Sequence, residues 1–135
     1  MGFGGVGLQV KGSIEAVEMY KKAFGLELGY HVLNKDGTFF HSELYKEGKE
    51  ELDVVESNID PVMENPVQLC FTFSEKEELL NAFLILSEKG RVLMEVCELP
   101  WSPCAAEVID KFGVRWYLTL PQHRPPEDFT PEDCK

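Results

Sequence analysis

Ser13-Ile14-Glu15-Ala16-Val17-Glu18-Met19-Tyr20-Lys21-Lys22-Ala23-Phe24-Gly25 reads as a helix with both ends marked. Ile14, Val17, Tyr20 and Phe24 recur at helical spacing and predict a buried stripe. Ser13 can cap the first amides, and Gly25 can take the left-handed conformation that closes a helix. Upstream, residues 6–11 read as a strand. Downstream, residues 26–33, 39–45 and 51–56 read as three more, joined through Asp36-Gly37 and around Gly48. The same grammar then repeats. Residues 67–73 form a strand, Ser74 and Glu77 make a capping box, and Leu79, Leu80, Phe83 and Leu86 supply an apolar face that Gly90 closes. Strand-like runs follow at 92–98, 105–109 and 114–120.

The chain is therefore written twice as βαβββ. Module 5–56 and module 67–120 are joined by connector 57–66, in one domain spanning 1–120. This pattern predicts an α+β fold in which two tandem modules form a curled mixed sheet, rather than a wound parallel sheet. Residues 121–135 carry four prolines and four acids and little to bury, so a mobile or surface-draped tail is expected.

Strand parity separates two faces. Val6, Leu8 and Val10, then Val67, Leu69, Phe71 and Phe73, then Val114, Trp116, Leu118 and Leu120 form greasy faces for the helices. Gly5, Gly7 and Gln9, then Gln68, Cys70 and Thr72, then Arg115, Tyr117 and Thr119 lie opposite. A curled sheet with small and polar residues inside encloses a cavity, and Gly5 and Gly7 leave space in it.

Composition narrows the function classes. The 135 residues include 13 basic and 24 acidic side chains, a net charge of −11, which repels phosphate backbones and argues against nucleic acid. No run approaches the roughly 18 apolar residues of a membrane span. Residues 1–10 have no basic residue ahead of their apolar run, so no secretory signal is expected. Cys70, Cys97, Cys104 and Cys134 form no C-x-x-C pair, as expected of free thiols in a cytoplasmic protein. Gly2-Phe3-Gly4-Gly5-Val6-Gly7 matches G-x-G-x-x-G only literally, since no strand precedes it. His41 and Glu43 share one strand face as an acid/base, ligand or surface pair. Trp101 is placed to stack on a planar ligand, and Arg115 to hold an anionic group.

Four pieces of the sequence carry a family resemblance. Ala16 to Gly25, then Phe40-His41-Ser42-Glu43-Leu44, then Trp101 with Asp110-Lys111-Phe112-Gly113-Val114-Arg115-Trp116 occur in an order that resembles the vicinal oxygen chelate superfamily. That superfamily includes glyoxalases, bleomycin-resistance proteins and extradiol dioxygenases, and the likeness is to its PhnB-like (3-demethylubiquinone methyltransferase-like) branch. The resemblance implies metal ligands on the first and last strand of each module. Those places fall at Gly5, at Val54 or Glu56, at Gln68 and at Tyr117. Two usable oxygens, on Gln68 and Glu56, fall short of the three or four protein ligands of a catalytic site. Ala105 and Ala106 replace the branch's aromatic-glycine pair. A methyltransferase would need a cofactor domain for which the chain has no room.

The expectation is accordingly a small-molecule-binding protein, free of metal and cofactor, that pairs as a homodimer to cover its strand edges. Its ligand-binding candidates are Gln68, Tyr117, Trp101, Arg115, His41 and Glu56. A metal-dependent lyase, isomerase or dioxygenase, and a dimer module without ligand, are the alternatives.

Overall fold

The computed structural model describes residues 1–130. Its elements run β1 (Gly7–Val10), α1 (Ser13–Phe24), β2 (Glu27–Leu33), β3 (Phe39–Lys46) and β4 (Lys49–Glu56), then β5 (Gln68–Thr72), α2 (Lys76–Ser87), β6 (Arg91–Leu99), β7 (Ser102–Ile109) and β8 (Arg115–Thr119). This is βαβββ twice, an α+β fold. Each module makes its own four-stranded mixed half-sheet, ordered β1-β4-β3-β2 and β5-β8-β7-β6, and among the described residues no strand pairs across from one to the other. In each half the first and last strands of the module pair in parallel, with Leu8 beside Val54 and Leu69 beside Trp116. The other pairs are antiparallel.

One core serves both modules. Val10, Leu44, Leu52 and Val54 from the first half and Phe73, Val108, Trp116 and Leu118 from the second pack in it with the two helices. Phe24, at the end of α1, ties the halves together. Its ring lies 4.6 Å from Trp116 and 4.7 Å from Phe71, centroid to centroid. The apolar face of α1, about three turns long, is thus shared between its own sheet and the other module's. A polar clamp reinforces the joint: the Tyr20 hydroxyl donates to Asp110 Oδ2 at 2.7 Å, and Trp116 Nε1 donates to the same oxygen at 2.8 Å. The amides of Phe112 and Val114 donate to Oδ1. Burial pushes the Asp110 carboxyl up, and these donors pull it back only in part.

Local details differ from the sequence reading for physical reasons. Gly12, not Ser13, precedes α1, in a left-handed conformation (φ 100°) that favours glycine. Ser13 is the first helical residue, and its Oγ accepts the Phe39 amide at 2.9 Å, so it serves the tertiary fold instead of the helix end. Ile14 is exposed, and the buried face is Ala16, Val17, Tyr20, Ala23 and Phe24. The capping box of α2 sits one residue later than read: Glu75 is the cap, and Glu78 accepts its amide at 3.1 Å. Gly90 does not close α2 in a left-handed turn; Lys89 takes the positive φ. Gly90 is needed because a Cβ there would run into the Ile109 carbonyl. Val6 and Val67 lie just before β1 and β5, and both are exposed instead of packing under the helices. β7 begins at Ser102, opposite Leu99, which leaves Pro100 and Trp101 as a two-residue turn.

Asp110→Ala strands two buried donors on opposite modules. It should lower unfolding stability by about 3–5 kcal/mol, against about 1–2 kcal/mol for Tyr20→Phe, as measured by denaturant titration.

Candidate functional site

Three groupings of polar side chains and the clefts along one seam are the candidates among the described residues. On the outer face of the first half-sheet, β3 and β4 bring Glu43 opposite Asp53, with His41 two residues along. His41 Nε2 lies 2.7 Å from Glu43 Oε2, and the Tyr45 hydroxyl donates to Glu43 Oε1 at 2.7 Å. Hydrogen bonding to Glu43 raises the His41 pKa, and the same bonds from His41 and Tyr45 lower that of Glu43. Tyr45 is pushed up to about 12 by the carboxylate it serves. Glu50 is raised as well, first by its hydrogen bond to the neighbouring Asp53 carboxylate. One Asp53 oxygen, Oδ1, is shut off from solvent and has no hydrogen-bond partner.

The outer face of the second half-sheet gathers Gln68 and Arg115 around Glu107. Arg115 Nε donates to Glu107 Oε2 at 2.7 Å, Gln68 Nε2 donates to the same oxygen, and Arg115 Nη1 donates to the Asn65 carbonyl at 2.9 Å. Partial burial would raise the Glu107 pKa, but the hydrogen bonds from Arg115 and Gln68 outweigh it and hold the carboxyl low. The guanidinium foreseen as an anion anchor is thus matched within its own sheet. The signal missed in sequence was Glu107, which shares a face with Tyr117 across the β7–β8 pair.

Trp101 and Tyr117 meet: Trp101 Nε1 donates to the Tyr117 hydroxyl at 3.1 Å, which donates to Gln122 Oε1 at 2.7 Å. The tail supplies this last partner. It drapes back over the turn, with the His123 amide on the Trp101 carbonyl at 2.9 Å and the Phe129 ring edge-on to Trp101. Cys134 lies outside the described residues. Glu56 stands alone at the start of α1, where it accepts the amides of Ser13 at 2.8 Å and Gly12 at 3.1 Å. It does from another strand what a serine cap does locally.

The cleft opens in the seam between the two half-sheets, with β1 and β5 as its edges. It holds about 210 Å³ and is walled by Val6, Phe24, Leu26, Leu52, Leu69, Phe71 and Trp116, with Glu51, Gln68 and Cys70 as its polar parts. A second, shallower cleft of about 310 Å³ continues along the seam past Gly7, Gln9 and Asn65. Gly5 lies in the exposed segment before β1 and lines neither. Of the six candidates only Gln68 reaches the seam.

The fold has known counterparts. A PhnB protein from Bacillus cereus, described as a 3-demethylubiquinone-9 3-methyltransferase, superposes with a TM-score of 0.73 at 26% identity, over 86% of this chain and 97% of its own. Its fold is that of the vicinal oxygen chelate superfamily. Protein PA1353 from Pseudomonas aeruginosa shares the fold (TM-score 0.69, 20% identity, 87% and 96% coverage), as does the fosfomycin resistance protein FosX from Listeria monocytogenes, solved with Mn(II) and sulfate (0.64, 14%, 89% and 90%). No family model and no curated protein matches the chain.

The shared fold raises the question of a metal at the positions the resemblance implies, and the residues there do not fit one. Gly5 offers no donor. Val54 is core, and both oxygens of Glu56 are taken by α1 amides. Gln68 is bonded to Glu107, and the Tyr117 hydroxyl is used as both donor and acceptor.

The cap role of Glu56 has a pH signature. Partial burial would raise its pKa, but the Ser13 and Gly12 amides outweigh this and hold it below the ordinary glutamate range. A depressed carboxyl contributes stability that is full above its unfolded pKa and lost as pH falls through the folded one. Glu56→Gln should therefore cost about 1 kcal/mol at neutral pH, and the gap from wild type should close as pH drops below about 4 in denaturation curves.

Proposed function

We propose that the chain binds a small aromatic or amphiphilic molecule in the seam cleft, needs no metal at the superfamily's inherited positions to do so, and works as a homodimer. The carrying observation is the cleft itself: an apolar hollow with three aromatic rings, Phe24, Phe71 and Trp116, and few polar groups at its margin. A void of about 150 Å³ lined by apolar side chains takes up benzene, so 210 Å³ suits a one-ring ligand with a short substituent. Ring stacking on Trp116 and Phe71 adds to the area term.

Support for pairing comes from edges and faces. β1, β2, β5 and β6 are all edge strands, and Tyr30, Val32, Leu33 and Val92 on β2 and β6 are exposed. Open edges with apolar side chains invite a second copy. The two polar outer faces are separate within one chain, so a dimer is the means by which they would meet another wall. No helix is long and apolar enough to cross a membrane.

The probe is p-cresol. It should raise the thermal midpoint of the wild type in a concentration-dependent way. Val6→Trp, which fills the cleft from its exposed rim, should remove that shift while leaving the ligand-free midpoint close to wild type. A p-cresol shift that survives Val6→Trp would place binding elsewhere. Light scattering at micromolar concentration should give a mass near twice 15.3 kDa, and a monomer mass would remove the dimer from this reading.

A further inference from the structure

The outer face of the first half-sheet carries a donor set of its own. His41 and Glu43 project from β3 on the same side, and Asp53 projects from β4 directly opposite Glu43. One donor atom from each of the three lies within 4.8 Å of the other two. Donor atoms around a four-coordinate ion with bonds of about 2.1 Å stand roughly 3.4 Å apart, so small side-chain rotations suffice to converge these three. Tyr45 fixes Glu43 from behind by its hydroxyl on Oε1. Such an outer partner orients a ligand carboxylate and leaves its other oxygen for the ion.

A histidine sharing a proton with a glutamate would account for two of the three groups. It does not account for Asp53 Oδ1, which is closed off from water with no hydrogen bond, while the adjacent Glu50 carboxyl can bond Asp53 only when it carries a proton. A carboxylate oxygen left in that state costs about 1–3 kcal/mol or more, and only a donor or a cation removes the cost. Space for one exists: Gly7 lies beside Asp53 in the β1–β4 pair, and nothing stands within 4 Å of where its side chain would be. The chain's net charge of −11 also favours cation over anion.

We propose that His41, Glu43 and Asp53 form a site for one first-row divalent transition-metal ion, with its remaining positions open to water or a small ligand. Imidazole selects such ions over Mg²⁺ and Ca²⁺, which prefer all-oxygen shells, and two carboxylates neutralise the charge. The site shares no residue with the positions the superfamily resemblance implies, and none with the lining of the seam cleft. It therefore stands or falls independently of the binding reading above.

The test uses the full chain, stripped with chelator and titrated with Zn²⁺ by calorimetry, with Co²⁺ absorption as a second readout. One Zn²⁺ per chain should bind at micromolar affinity or tighter, and His41→Ala and Asp53→Asn should each weaken it by at least about 100-fold. Tyr45→Phe should weaken it by about 10-fold, and Gln68→Ala should leave it unchanged. The Co²⁺ spectrum of the wild type should appear and be lost in His41→Ala, a partly exposed position where the substitution spares the core. Absence of both signals up to about 1 mM metal overturns the proposal. So does binding that survives His41→Ala and Asp53→Asn, or binding that depends on Gln68.

Discussion

The buried Asp110 carboxylate is the joint on which this molecule is assembled. It accepts Tyr20 from α1 of the first module and Trp116 from β8 of the second, together with two amides of its own turn. An unpartnered carboxylate at such depth would be strongly unfavourable, so all four donors must be in place for the halves to dock. Once they are, Phe24 is held against Trp116 and Phe71, and the seam between β1 and β5 acquires an aromatic wall. Fold and cleft are consequences of the same joint.

Much of the architecture was legible because each local signal agreed with its neighbours. The stripe ending at Phe24 and Gly25, the Asp36-Gly37 turn and the repeated strand triplets all pointed to βαβββ twice, and the elements lie within a few residues of those expectations. What misled was the assumption that helix ends are settled locally. Ser13 and Ser74 look like caps, yet the start of α1 is capped by Glu56 from 43 residues away, and Ser13 turns to β3 instead. Nothing in a linear reading distinguishes a glutamate that caps a remote helix from one that binds a ligand.

The candidate site was less legible, for a related reason. Parity placed Gln68, Arg115 and Tyr117 on one face, but not the partners that occupy them. Glu107 takes up Gln68 and Arg115, and Gln122 from the draped tail takes up Tyr117. Of the positions the resemblance implies, Glu56, Gln68 and Tyr117 are internal hydrogen-bonding positions here. The groups with unspent chemistry lie elsewhere, in the apolar seam and on the β3–β4 face. His41 and Glu43 were visible as a pair, but Asp53 joined them only through the register of a hairpin containing a bulge.

The central claim is that the working hollow is the seam between modules and not the polar face around Tyr117. Amide chemical-shift mapping of the protein titrated with p-cresol tests this most directly. The seam account predicts perturbations concentrated at Val6, Leu52, Leu69, Cys70 and Phe71 and at the Trp116 indole. Perturbations centred on Trp101, Tyr117 and Gln122, with the seam silent, would contradict it.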